Sequence, residues 1–215
     1  MTQIISPSLL AADFSDLRSV CQMINESQAE WLHIDVMDGV FVPNISFGFP
    51  VLEAVKKHCK KPLDVHLMIV KPEKYIERFV KAGANVLTVH LETLTDPITT
   101  LRQIKGLGVK AGLTINPDVS VSQLRGLVGE ADMILLMSVF AGYGGQKFID
   151  DTWQRIEELR KIITEENPDC LIEVDGGISS ENAKQLFNAG VNVLVAGNAV
   201  FKSENPKEII QMMLE

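Results

Sequence analysis

Eight short runs rich in Val, Ile and Leu recur along the chain, at 4–8, 31–36, 63–69, 85–90, 110–115, 133–138, 171–175 and 192–196. Longer segments separate them, such as Pro72-Glu-Lys-Tyr-Ile-Glu-Arg-Phe-Val-Lys and Trp153-Gln-Arg-Ile-Glu-Glu-Leu-Arg-Lys-Ile-Ile. Their apolar residues return every three or four positions, the spacing of one helix face. Gly83 and Gly190 stand where helices should stop, and Ser179 or Ser180 suits a helix start. Strands this continuously apolar are those of a parallel sheet covered on both faces.

Strands alternating with helices fit a closed barrel or an open doubly wound sheet. The open sheet calls for a glycine-rich turn after the first strand. Here that strand runs into Pro7-Ser-Leu-Leu-Ala-Ala-Asp-Phe, without glycine. A single (β/α)8 TIM barrel over residues 1–215 is therefore expected, and this length lies inside the barrel's range. Lys81-Ala-Gly-Ala-Asn-Val-Leu-Thr-Val-His also resembles Asn188-Ala-Gly-Val-Asn-Val-Leu-Val-Ala-Gly, half a chain away, as two similar half-barrels would require. Helix–glycine–strand junctions of any α/β protein would look much the same. The longest loops are expected at 38–49 and 139–148.

A net charge of −8 argues against broad contact with nucleic acid or an anionic membrane. It leaves room for a small anion held by local amides and a metal. Cys21, Cys59 and Cys170 are odd in number and widely spaced, which points to a reducing compartment rather than a disulfide framework. The N-terminus carries no basic-then-apolar leader, and no apolar run approaches the ~18 residues of a membrane span. A cytoplasmic protein is expected.

In such a barrel, functional residues gather at the C-terminal ends of the strands. His33 and Asp35 lie two apart on the second strand and share a face. His66 is read as ending the third strand and Asp175 as ending the seventh. Two imidazoles and two carboxylates suit a divalent first-row metal. Taken singly, each of these residues also fits a structural role. Met37, Met68 and Met137 cluster at the same end, as packing or as an apolar collar around a reactive intermediate. Glycines gather in three loops: Gly142-Tyr-Gly-Gly after the sixth strand, Asp175-Gly-Gly-Ile-Ser-Ser after the seventh, and Ala196-Gly-Asn-Ala-Val after the eighth. Glycine lets backbone amides approach a phosphate. His90, ending the fourth strand as Val-His-Leu-Glu92, fits a supporting or a structural role, and His58 reads as solvated.

The motifs Ser6-Pro-Ser-Leu-Leu-Ala-Ala-Asp13, His33-Ile-Asp-Val-Met-Asp-Gly-Val-Phe-Val-Pro-Asn-Ile-Ser-Phe-Gly48, Asp64-Val-His-Leu-Met68, Asn116-Pro117, Gly144-Gly-Gln146 and Glu173-Val-Asp-Gly-Gly-Ile178 run through the whole chain. Together they resemble the ribulose-phosphate 3-epimerase family. The second motif separates that family from phosphosugar decarboxylases of the same fold, whose Asp-x-Lys-x-x-Asp strand end is absent here. The resemblance implies one divalent ion (zinc, iron, manganese or cobalt) per subunit on His33, Asp35, His66 and Asp175, with Asp35 and Asp175 as the acid/base pair. It implies substrate contacts from Ser8, His66, Met37, Met68 and Met137. Backbone around Gly142, Gly144, Gly145, Gly176, Gly177, Gly197 and Asn198 would hold the phosphate. A small-molecule sugar phosphate would be the partner, the chain a homo-oligomer, and the pentose phosphate pathway the context.

Two positions depart from the family pattern. After the sixth strand it has Val-Asn-Pro-Gly-Phe-Gly-Gly, where this chain reads Val139-Phe-Ala-Gly-Tyr-Gly-Gly145. Phe140-Ala141 thus replaces a polar residue and a rigid proline. Asn198 replaces a small hydroxyl residue. The expected activity is C3 epimerisation of D-ribulose 5-phosphate and D-xylulose 5-phosphate. The altered loop motivates two alternatives: epimerisation of another ketose phosphate such as allulose 6-phosphate, and phosphosugar binding without turnover.

Overall fold

A computed structural model describes residues 2–215. It contains eight strands, β1 (Ile4–Pro7), β2 (Leu32–Met37), β3 (Leu63–Met68), β4 (Val86–His90), β5 (Lys110–Ile115), β6 (Met133–Met137), β7 (Leu171–Asp175) and β8 (Val193–Ala196). Each lies within one residue of its expected bounds. All pair in parallel, in the order β1-β8-β7-β6-β5-β4-β3-β2. A parallel bridge between Ser8 and His33 joins the two ends of this ladder. The result is a (β/α)8 TIM barrel, with α1 (Leu17–Glu26), α2 (Phe49–His58), α3 (Ile76–Ala82), α4 (Pro97–Gly106), α5 (Thr152–Glu166), α6 (Ala183–Asn188), α7 (Asn198–Phe201) and α8 (Pro206–Leu214) around it.

The two-residue period of the strands sorts side chains into two environments. Outward residues such as Ile34, Val65, Leu87, Leu113, Ile134, Ile172 and Leu194 pack with the helices in one apolar shell. Each such fully buried Leu or Ile contributes about 1.5–3 kcal/mol relative to exposure. Inward residues split by height. Ile4, Val86, Met133 and Val193 plug the lower end beside Trp31. Above them the interior is polar: Ser6, His33, Asp64, His66, Thr88, His90, Thr114 and Glu173 are all fully buried. Gly112 on β5 allows this crowding, because a Cβ there would sit 2.1 Å from Thr88 Oγ1.

Helix ends follow local chemistry. Asp16 and Asp96 cap α1 and α4 by accepting from the amides of Ser19 and Thr99. α5 buries Ile156, Leu159 and Ile163, one face of its turns. The helical segment from Pro72 begins as a 3-10 turn at Pro72–Lys74, and α3 starts only at Ile76, because Tyr75 at φ −118° breaks the spiral. α6 likewise starts after the expected serines, at Ala183. There the Asn182 side chain turns back to accept from the Ser179 amide and donate to the Gly177 carbonyl. No α-helix joins β5 to β6. Two 3-10 turns do so, Val121–Leu124 and Val128–Glu130, in a stretch broken by Gly126 at φ +74°.

The internal similarity has a structural counterpart. Asn85 and Asn192 occupy matching positions before β4 and β8. Each side-chain oxygen accepts an amide at the start of the preceding strand, Leu63 on β3 and Ile172 on β7. Among the described residues no helix is long and apolar enough to cross a membrane.

Candidate active site

The C-terminal mouth of the barrel opens into a cavity of about 560 Å³. Asp35, Asp175 and the methionines Met37, Met68 and Met137 reach it from the strands, with Ser8 from the end of β1. Gly142, Gly144, Gly145, Gly176, Gly177, Gly197 and Asn198 form its rim on the β6–β8 side. His33 and His66 do not line the cavity, although substrate contact was expected of His66. Both are fully buried in the wall beneath it.

The structure brings the four expected ligands together. One oxygen or nitrogen of each of His33, Asp35, His66 and Asp175 lies within 4.8 Å of the others. Asp35 Oδ1 is 3.3 Å from both His33 Nε2 and His66 Nδ1. Asp175 Oδ2 is 4.0 Å from His33 Nε2. His33 Nε2 and His66 Nδ1 are buried without a hydrogen-bond partner. Orphaned buried nitrogens converging on two carboxylates fit a divalent cation, since an unsatisfied buried polar atom is otherwise costly. Ser8 Oγ donates to the other Asp35 oxygen at 2.6 Å, which leaves Oδ1 free for the cluster.

The two cavity carboxylates differ in charge. Burial pushes Asp175 up, the neighbouring Asp35 adds to it, and its pKa reaches about 7. Burial acts on Asp35 in the same sense, but the charge and hydrogen bond of His33 outweigh it and hold Asp35 below the usual carboxylate range. Burial lowers His66 to about 4, so it is neutral and has a free lone pair. Burial also opposes charge on His33, yet Asp35 and Asp64 together raise it well above an ordinary histidine.

The rim is built from backbone. Gly177 takes φ +65°, and a Cβ there would lie 2.3 Å from the Phe148 amide nitrogen. Three side chains brace the loop after β6. Asn44 Nδ2 donates to the Gly142 carbonyl, Gln146 Nε2 to those of Phe140 and Tyr143, and Asn116 Oδ1 accepts from the Ala141 amide. Phe140 and Tyr143 flank the opening and are half exposed.

The matching family model is that of the ribulose-phosphate 3 epimerase family, and it spans residues 4–201. The chain belongs to this family. It is 46% identical over 209 residues to the ribulose-phosphate 3-epimerase of Synechocystis sp., covering 96% of this chain and 91% of that protein. It is 44% identical to the ribulose-phosphate 3-epimerase of Bacillus subtilis, covering 96% and 95%. The chloroplastic ribulose-5-phosphate-3-epimerase of Arabidopsis thaliana is 43% identical, with 97% and 75% covered. Among solved structures, 3-hexulose-6-phosphate synthase from Salmonella typhimurium superposes with a TM-score of 0.70 at 19% identity, covering 98% and 96% of the two chains. A tryptophan synthase α-subunit from Pyrococcus furiosus gives 0.74 at 15% identity, covering 100% and 99%. These two share the fold.

Within this epimerase-family site, the structure adds residues that sequence reasoning had given no role. Asp64 Oδ2 lies 2.6 Å from His33 Nδ1. It holds the proton on that nitrogen and turns Nε2 toward the cluster. Burial, reinforced by Asp64, pushes Glu173 well up, so it stays protonated beneath them. The signal was available: Asp64 precedes His66 by two on one strand, and Glu173 precedes Asp175 by two on another. Among the described residues Lys202 is the one lysine or arginine lining the cavity, and its backbone amide donates to the Asn198 carbonyl.

Proposed function

We propose that this protein interconverts D-ribulose 5-phosphate and D-xylulose 5-phosphate in the cytoplasm by inverting C3, with residues 1–215 as one catalytic barrel. The observation that carries this reading is geometric: the Asp35 and Asp175 carboxylates both open into the cavity and converge with His33 and His66 on one point of its floor. The family membership and the relatives' names support it. Two carboxyl groups driven apart in pKa are the pattern of an assigned base and acid.

Inversion removes a proton from one face of C3 and returns one to the other. In one direction Asp35 takes the C3 proton, leaving the electron pair delocalised as an enediolate over C2 and C3. Protonated Asp175 then delivers a proton to the opposite face. The reverse reaction exchanges the roles, and the protons re-equilibrate between turnovers. Each positioned acid or base contributes about 10²–10⁴-fold in rate. A divalent ion held by His33, Asp35, His66 and Asp175 would supply Lewis-acid stabilisation of charge on O2 and O3; the two-imidazole, two-carboxylate set suits zinc, iron, manganese or cobalt. Ser8 keeps the Asp35 carboxylate oriented. The buried thioethers of Met37, Met68 and Met137 keep water from the reacting carbons. Amides of the glycine rim and Asn198 receive the phosphate at the far end of the cavity, with Lys202 beside them.

Proton exchange at C3 of ribulose 5-phosphate in D2O tests this. Native protein should place deuterium in both epimers, while Asp175→Asn and chelated samples should not. No exchange by metal-loaded native protein would remove the reading. Comparing kcat/KM on allulose 6-phosphate then decides between sugars, and a preference for the hexose would reassign the substrate.

A further inference from the structure

His66 is the end of a chain of hydrogen-bonding groups that leaves the cluster and returns to the cavity from above. Its Nε2 is 2.9 Å from Nε2 of His90. The rings meet edge to edge, with centroids 5.0 Å apart and planes 25° apart. His90 Nδ1 is buried without a hydrogen-bond partner and faces Glu92 Oε2 at 3.5 Å, an ion-pair contact. Glu92 Oε1 accepts from both the backbone amide and the side-chain Nδ2 of Asn116, each at 2.9 Å. Asn116 Oδ1 in turn accepts from the Ala141 amide at 3.0 Å, on the loop that lines the cavity. Arg155, itself buried, donates to the Asn116 and Met137 carbonyls and pins this chain to the end of β6.

Glu92 sets the preferred donor directions. A carboxylate only accepts, so its place beside Nδ1 favours the His90 tautomer with the proton on Nδ1 and a lone pair at Nε2. In that arrangement His66 donates from Nε2, which leaves the Nδ1 lone pair pointing at Asp35. Asn116 gives its NH2 to Glu92, so only its oxygen is left for the loop. The last link depends on Ala141 having an N–H. The family pattern places a proline there, which has none.

We infer that His90, Glu92 and Asn116 are positioning residues that couple the loop after β6 to the metal ligand His66, and that in this chain the Ala141 amide closes the coupling. This rests on the metal-site reading given above. Because coupling between two sites is reciprocal, a cation on His66 must steady the loop, and loosening the loop must weaken the cation by the same factor.

The test titrates metal-stripped protein with Co²⁺, following the cobalt absorption bands and the exchange rate of the Ala141 amide with solvent. Co²⁺ should slow that exchange by about fivefold or more in native protein, and not in Asn116→Ala. Glu92→Gln should weaken Co²⁺ by about tenfold and shift its bands. Ala141→Pro should weaken Co²⁺ by about fivefold, whereas Ala141→Gly, which keeps the N–H, should match native protein. Ala141 lies in a surface loop, so these two variants carry the test if Glu92→Gln does not fold. Co²⁺ affinities of Ala141→Pro and Ala141→Gly within twofold of each other would overturn the coupling while leaving the metal site standing. Failure of native protein to bind Co²⁺ would overturn both.

Discussion

The floor of the cavity is made of strand side chains, and its rim is made of loop backbone. On the floor, His33, Asp35 and His66 are almost wholly inaccessible, and every neighbour is set by strand register, as in Asp35 beside His66. On the rim, Gly142, Gly145, Gly176 and Gly177 all take positive φ, and the proposed phosphate contact needs their amides rather than side chains. A floor of charged groups tolerates almost no chemical change, because in a low-dielectric interior every lost partner is costly and His33 Nε2 and His66 Nδ1 already lack one. A backbone rim tolerates changes of residue type provided its path survives. Phe140-Ala141, where the sequence departs from the pattern the resemblance led us to expect, lies on the rim, and the four-residue cluster on the floor is complete.

The sharpest break of this contrast is Asp175→Asn. It should lower kcat by about 10²–10⁴-fold with KM little changed, since it removes a proton carrier and no rim amide. Steady-state kinetics beside a circular dichroism check of folding measures it.

The second prediction concerns pH and the cation. Protons compete with a metal for His33, raised well above an ordinary histidine by Asp35 and Asp64. Uptake must displace that proton, whereas the proton that Asp175 delivers stays on its carboxyl group, so affinity should rise about tenfold per pH unit until the metal-free His33 loses its proton. Isothermal titration in buffers of different ionisation enthalpy counts the protons.

Third, Asp64→Asn should weaken metal binding by about 10–100-fold without touching the cavity, because it loosens the proton that orients His33. A chelator competition assay reads this directly. Fourth, on the rim, Gly177→Ala should destabilise the fold by about 1–3 kcal/mol through its φ of +65° and the Phe148 backbone in its way, and should raise KM. Thermal unfolding and kinetics together separate the two effects. Smallest is Lys202→Ala. This exposed cation should change KM by up to about fivefold, with kcat and stability unmoved, and its effect should shrink with added salt.

The floor was far more legible in sequence than the rim's bracing. His33 and Asp35 announce themselves because residues two apart on a strand share a face, and the eight strands stand out because a sheet covered on both sides must be apolar on its outward face. The same spacing marks Asp64 and Glu173, which no role had singled out. The missing helix between β5 and β6 was less visible: Gly126 breaks that stretch, but helical spacing is expected between barrel strands. The bracing of the rim by Asn44, Asn116 and Gln146 had no local signature at all.

From its sequence alone, this chain determined the number and order of its strands, the faces that turn inward, and the residue types that reach the mouth. These depend on periodicities of two and of three to four, which are local along the chain. Only the tertiary structure decided which nitrogen of each imidazole faces the cluster and which loop the Ala141 amide answers to. His33 meets Asp64 across 31 residues, His66 meets His90 across 24, and Asn116 meets Ala141 across 25. Such partners exist only once adjacent strands are in register and the barrel has closed. Hydrogen bonds are directional and reach about 3 Å, so no local pattern in the chain encodes them.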